Sequence, residues 1–303
     1  MKSAAHMSAT GPRSWLFVPG DSSRKMDKAV GSNADAIILD LEDSVAPTRK
    51  ADALRTTSDF LSARESHSSG PELWVRVNAS APDAALAELA ALPLAPLAGI
   101  IHPKLGAHAQ LVRMGHWLDA LEARDGIADK PIGMVGIITE TARSVVGEQT
   151  ATLARGHERL RGYSWGTEDL SAVLGRPPIA GTTAANDALS QAMRMHCLLM
   201  AAAANVAAID SISANFRNLD ALGAECDYAR ELGYTSKMAI HPAQLDTLHT
   251  SLAPSAEALE WARKVQALVD ENPDAASFQL DGRMVDQPHF TVAARLLARQ
   301  PHT

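Results

Sequence analysis

Cysteine is nearly missing from this chain. Cys197 and Cys226 are the only two among 303 residues, and they form no metal-ligand spacing. That argues against a disulfide framework and for a reducing, cytoplasmic setting. Basic charge is also short, with 28 Lys and Arg against 35 Asp and Glu and a formal net charge of −7. No nucleic-acid partner is expected, because such a partner needs a basic face. A local Arg and Lys cluster can still hold a small anion inside an acidic protein. Long apolar runs are absent too. The longest, Cys197–Ala204, is too short to span a bilayer and leads into Asn205. Residues 1–12 lack the continuous apolar core of a secretory signal. The expectation is a soluble cytoplasmic protein with no membrane partner. There is no internal repeat, no H-E-x-x-H, no paired-Cys zinc spacing and no G-x-G-x-x-G after the first apolar run.

What is present is a regular alternation. Apolar residues make up 46% of the chain, enough for a full core. Eight short apolar runs stand out: Trp15–Val18, Ala36–Leu39, Leu73–Val77, Gly99–His102, Gly133–Glu140, Gly162–Leu170, Val206–Asp210 and Lys237–Pro242. Between them lie helical segments at Arg24–Gly31, Thr48–Leu61, Asp83–Ala91, Ala107–Ala123, Thr141–Thr150, Asn186–Asn205 and Leu219–Leu232. Strands alternating with helices of this length imply parallel β-α-β units. Eight such units predict an α/β protein of the (β/α)8 TIM barrel type. An open doubly wound sheet is the alternative. The division expected is a disordered tail over 1–12, a barrel over 13–252 and a C-terminal helical lid extension over 253–303. The extension carries helices at Ser255–Val269 and Gln287–Arg299 and a hairpin-type turn at Asp281-Gly282. A barrel does not need it, so it is expected to serve as a lid or an oligomer contact.

In a barrel, the residues at the C-terminal ends of strands form the active site. Here those positions hold Asp40, Glu42, Asp43, Arg76, Lys104, Glu140, Asp169, Asp210 and His241. So many charges in one register are hard to explain as core packing, since unpaired buried charge is costly. The stretch Gly133–Leu170 is the centre of the set. If its two runs are neighbouring strands about 4.8 Å apart, Glu140 and Asp169 can share one hard cation such as Mg²⁺. Zinc would want His or Cys. The planar fork of Arg76 suits a carboxylate or enolate oxygen, an ion pair with Asp40, Glu42 or Asp43, or both. Glu42 and Asp43 are grouped with it as candidate catalytic residues.

Seven motifs then occur in order: Arg13-Ser14-x-Leu16-Phe17-Val18-Pro19-Gly20, Ile38-Leu39-Asp40-Leu41-Glu42-Asp43, Val75-Arg76-Val77-Asn78, Pro103-Lys104, Thr139-Glu140-Thr141-Ala142, Gly166-Thr167-Glu168-Asp169-Leu170 and Ile240-His241-Pro242-x-Gln244. Together they resemble the citrate lyase beta-subunit and malyl-CoA lyase family, within the wider HpcH/HpaI-type aldolases. The resemblance implies Mg²⁺ ligation by Glu140 and Asp169, and enolate stabilisation and substrate binding by Arg76. It implies capture of a 2-oxo acid carboxylate by the backbone around Gly166, Thr167 and Asp169. Phe17, Pro19 and Arg24 would line the CoA side, with Lys104 in support rather than as a Schiff base. Gly282-x-Met284-Val285-Asp286-x-Pro288 is similar to a lid motif whose Asp enters a neighbouring subunit's site in a trimer, making Asp286 the acid–base or water-activating residue. Two positions depart from the family pattern: His102 stands where an aliphatic residue is usual, and Ser236 where Gly is usual.

The implied reaction is Mg²⁺-dependent cleavage of a 3-hydroxyacyl-CoA thioester (citryl-, malyl- or citramalyl-CoA) to a 2-oxo acid, such as oxaloacetate, and an acyl-CoA. Three alternatives stay open. One is a malyl-CoA thioesterase built on the same site. Another is a subunit acting only on an acyl-carrier protein within a complex. The last is a 2-oxo acid aldolase without CoA.

Overall fold

Eight parallel strands close into a barrel in chain order, the first pairing with both the second and the eighth. The computed structural model describes residues 11–64, 70–79, 81–177, 183 and 186–300. The strands are β1 Ser14–Pro19, β2 Ala36–Asp40, β3 Glu72–Arg76, β4 Gly99–His102, β5 Gly133–Ile138, β6 Leu160–Trp165, β7 Ala207–Asp210 and β8 Ser236–Ala239. The (β/α)8 expectation is borne out, and closure excludes the open sheet. Residues 1–10 of the tail expected to be disordered lie outside the described residues. No helix among the described residues is long and apolar enough to cross a membrane.

Side chains alternate across a strand, so every second residue points into the barrel. That face supplies Trp15, Ala36, Ile38, Trp74, Ile101, Val135, Ile137, Ile209 and Met238, which pack as one buried cluster. Trp15 and Trp74 meet edge to face, ring centroids 4.9 Å apart. The bulk of Trp74 dictates its neighbour: a Cβ on Gly99 would lie 2.0 Å from the indole. The same alternation carries Asp40, two residues after Ile38, and Arg76, two after Trp74, to the inward face at the C-terminal end. The two are register partners across β2 and β3.

Some boundaries differ from the sequence reading. Gly162–Leu170 is not one run, because β6 stops at Trp165 and Glu168 and Asp169 lie in the first turn of a short helix, Glu168–Val173. Carboxylates at a helix N-terminus complement its dipole, so the local fold favours them there. The helix expected over Thr141–Thr150 is shorter, Ala142–Val146, and a 3₁₀ turn follows at Thr150–Arg155.

The chain divides into a barrel unit, Pro12–Ser251, and a C-terminal unit from Leu252 onward. The C-terminal unit is not purely helical. Helix Ala256–Glu271 leads to an antiparallel hairpin, β9 Ser277–Leu280 and β10 Arg283–Asp286, and then to helix Gln287–Leu297. The hairpin turns at Asp281-Gly282, both with positive φ (49° and 77°), the conformation that a two-residue turn of this type demands. Ala262, Val265, Val285 and Ala293 form its own small buried core, with Trp261, Phe278 and Phe290 packed on it.

Gly99→Ala should destabilise the barrel by about 1–3 kcal/mol, because Trp74 must move off Trp15 to admit the methyl group. Urea unfolding followed by tryptophan fluorescence measures this directly, and an unchanged midpoint would contradict the packing described.

Candidate active site at the barrel mouth

Asp40 organises the first half of the site. Its carboxylate accepts hydrogen bonds from Arg76 Nε at 2.7 Å and Arg76 Nη2 at 2.6 Å, and from the backbone N–H groups of Glu42 at 2.9 Å and Ser44 at 3.1 Å. Burial alone would raise the pKa of Asp40, but the bidentate bond and charge of Arg76 outweigh it and hold the carboxyl below its usual range. The Nε–Nη2 edge of the guanidinium is thereby used. Its Nη1 is left 3.2 Å from Glu42 Oε2, a buried oxygen with no hydrogen bond among the described residues. Phe17 lies over the Arg76 guanidinium at 4.7 Å, so β1, β2 and β3 together fix this arginine. The ion pair with Asp40 is thus present, and one face of the fork still points toward Glu42.

Lys104 joins the two halves. It follows β4 in a left-handed conformation, φ 51°, which sends its backbone N–H and its side chain to different carboxylates. The N–H donates to Glu140 Oε2 at 2.6 Å. The ammonium donates to Glu42 and lies 3.2 Å from Asp43 and 3.1 Å from Asp169. Burial works against the charge on Lys104, yet its bond to Glu42 and the nearby carboxylates raise its pKa. Glu140 is buried, and that burial pushes its carboxyl up to about 7, with the Glu42 charge adding to it and the Lys104 N–H opposing it. Burial likewise raises Glu42 against the opposing charges of Arg76 and Lys104.

Thr139 fixes the approach of the next strand. It too has positive φ, 73°. Its hydroxyl donates to Gly166 O at 2.9 Å and accepts from Gly166 N–H at 3.2 Å. Gly166 therefore has no free N–H for an incoming carboxylate. The groups left are those of Thr167 to Asp169, where a helix start has no intrahelical acceptor. Gly166 also keeps the space beside Glu140 open, since a Cβ there would stand 3.4 Å from Oε1. Glu140 and Asp169 fit a hard cation: both offer oxygen donors, and one residue, Lys104, touches both. No group of three or more His, Cys, Asp or Glu suited to a metal occurs among the described residues. A magnesium ion is commonly held by two carboxylates, with water and substrate completing the shell.

Other expected residues fall elsewhere. Asp210 is fully buried and structural, bonded to Arg194 at 3.0 Å, Lys237 at 2.7 Å and the Trp165 indole N–H at 2.9 Å. His241 stacks on Phe216 with centroids 4.7 Å apart, and its Nδ1 accepts from Ala243 N–H. Arg24 is exposed on helix Ser23–Val30, and Pro19 pairs with Asp40 across β1 and β2. Ser236 opens β8 and donates to Pro12 O at 2.6 Å. His102 is buried, its Nδ1 2.8 Å from Pro103 O. Asp286 belongs to the C-terminal unit, where it precedes helix Gln287–Leu297 and contacts His289. Sequence reasoning named Asp40 as one possible partner of Arg76, and that pair is present, but it missed the backbone bonds that Asp40 takes from Glu42 and Ser44 and the role of Thr139.

Known proteins share this architecture. The family model described as HpcH/HpaI aldolase/citrate lyase matches residues 13–242. A citrate lyase subunit beta-like protein of Mycobacterium tuberculosis is 31% identical over 294 residues, covering 97% of both chains. A (3S)-malyl-CoA thioesterase of Cereibacter sphaeroides is 33% identical over 294 residues, covering 95% of this chain and 94% of its own. The crystal structure of CitE from M. tuberculosis in complex with magnesium, acetoacetate and coenzyme A superposes with a TM-score of 0.73 at 29% identity, covering 96% of this chain and 98% of that one.

Two stability measurements test the packing of the mouth. Asp40→Ala should cost about 3–5 kcal/mol, because it strands the buried Arg76 charge. His102 is pushed down to about 4, chiefly by burial, from an ordinary value of 6.5. Its contribution is therefore complete above pH 6.5 and is lost as pH falls toward about 4, up to about 3 kcal/mol in all. Denaturation at a series of pH values should show this slope in the wild type and lose it in His102→Leu.

Proposed function

The chain belongs to the HpcH/HpaI aldolase/citrate lyase family, and from that premise we propose that it is a Mg²⁺-dependent carbon–carbon lyase. Its substrate would be a 3-hydroxyacyl-CoA thioester, cleaved to a 2-oxo acid and an acyl-CoA. The observation that carries this reading is the junction at Lys104, whose backbone N–H holds Glu140 while its ammonium holds Asp169 and Glu42 at the barrel mouth. Support also comes from the magnesium, acetoacetate and coenzyme A named with the CitE structure.

When bound to Glu140 and Asp169, Mg²⁺ supplies Lewis-acid stabilisation of the oxygen that becomes the 2-oxo group. The chain's own residues do the rest. The N–H groups from Thr167 to Asp169 receive the oxo-acid carboxylate. Arg76, oriented by Asp40, turns Nη1 toward the thioester oxygen and stabilises the charge that develops on it as the bond breaks. The substrate's hydroxyl proton passes to a carboxylate of the mouth, for which Lys104 holds Glu42 and Asp43 in place. Phe17, Pro19 and Arg24 contribute the CoA side. Asp286, delivered by the C-terminal unit of a neighbouring copy in a trimer, transfers a proton to the enolate carbon.

Hydrolysis is the second reading, favoured by the thioesterase relative at 33% identity. In that case Asp286 activates water on the acyl carbon. Incubation with Mg²⁺ and malyl-, citramalyl- or citryl-CoA separates the two, since a lyase releases glyoxylate, pyruvate or oxaloacetate and a thioesterase releases free CoA. EDTA should stop either reaction. Glu140→Ala and Asp169→Ala should each weaken Mg²⁺ binding at least tenfold by calorimetry, on the order seen when a direct ligand or its supporting partner is lost. Retained affinity in both would overturn the assignment. Arg76→Ala should lower kcat by about 10²–10³.

A further inference from the structure

One nitrogen in the C-terminal unit makes two contacts that a single protonation state cannot satisfy. His289 Nδ1 lies 2.6 Å from Asp286 Oδ1 and also 3.2 Å from the backbone N–H of Asp286. Toward the N–H it must present a lone pair. Toward the carboxylate it must not, because two lone pairs at 2.6 Å repel. The short contact therefore requires a proton between Nδ1 and Oδ1, carried by either partner. Once that proton leaves, the imidazole with hydrogen on Nε2 still has an acceptor ready for the Asp286 N–H. The two distances describe a loaded and an unloaded form of one pair.

We propose that His289 is a positioning residue that holds the proton Asp286 delivers. This deepens the reading given under Proposed function and rests on it for the role of Asp286. An isolated aspartate, with an ordinary pKa near 3.9, keeps a proton only about once in a thousand molecules at pH 7. That is a poor acid for an enolate. Histidine ordinarily titrates near 6.5, so about one ring in four carries a second proton at pH 7, far more often than an aspartate does. In the cleavage direction the proton passes from Nδ1 to Oδ1 and on to the enolate carbon, where the new C–H bond forms. Asp286 returns to carboxylate and His289 to the neutral ring, which regains a proton from water. Both side chains are about two-fifths exposed, at 36% and 45%, so that exchange is open. The ring's neighbours do not compete: Trp261 of helix Ala256–Glu271 packs edge-on at 6.5 Å, and among the described residues no other ion pair involves either side chain.

Two variants separate proton holding from helix capping. His289→Gln keeps a side-chain acceptor for the Asp286 N–H but cannot carry a titrating proton, whereas His289→Ala removes both. In the full-length Mg²⁺-loaded protein, His289→Gln should fold as stably as the wild type and keep KM. It should lose at least about tenfold in kcat at pH 7, and the deficit should shrink as pH falls and Asp286 protonates by itself. Wild-type kcat and pH profile in His289→Gln would overturn the proposal. Proton NMR gives a readout independent of turnover. A proton between His289 Nδ1 and Asp286 Oδ1 should give a far-downfield ring N–H signal that Asp286→Asn removes, and its absence from the wild type would equally overturn the shared proton. If the wild type turns over none of the three thioesters, or Asp286→Asn is fully active, it is the functional reading that falls. The proton spectrum then still decides the dyad.

Discussion

The barrel mouth depends on how one buried carboxylate is shared. Asp40 receives two bonds from Arg76 and two from the backbone of its own loop. An aspartate this deeply buried survives as an anion only because all four donors converge on it. From that anchor the order of the site follows. Arg76 is held flat under Phe17, Glu42 is brought to Nη1, and Lys104 is drawn to Glu42 from the far side. Lys104 then reaches Glu140 and Asp169. Apart from Glu140, which takes a neutral backbone N–H, each of these groups is paired with one of opposite sign.

A second buried carboxylate shows what the same register does when no ligand is intended. Asp210 ends β7 as Asp40 ends β2, but it is closed in by Arg194, Lys237 and Trp165 with no exposed surface. Its bond to Trp165 ties the last residue of β6, immediately before the Gly166 loop, to the end of the neighbouring strand β7. One strand-end acid orients an arginine into the site, and the other braces the wall behind it.

The contrast explains what could be read from the chain alone. Alternation of side chains along short Val- and Ile-rich runs was enough to reveal eight strands and to place Asp40, Arg76, Lys104 and Glu140 at one end. Local pattern could not separate Asp210 from Asp40, because their partners come from elements distant in sequence: Arg194 lies within a helix and Lys237 on another strand. Nor could it place Asp169 in a helix, since Glu168-Asp169 after a glycine reads equally as the end of a strand. The hairpin of the C-terminal unit was visible only as the turn Asp281-Gly282, its strands being four residues each.

The left-handed backbone at Lys104 and Thr139 has an evolutionary consequence. A side chain with positive φ costs of order 1 kcal/mol or more relative to glycine, and both residues stand at the mouth in neighbouring β–α connections. A glycine at either position would relieve that strain and erase the contact that the strain serves. Selection for thermal robustness alone would thus drift toward a quieter, more stable and emptier barrel. A lysine and a threonine held in these conformations set part of the chain's stability against the geometry of its mouth.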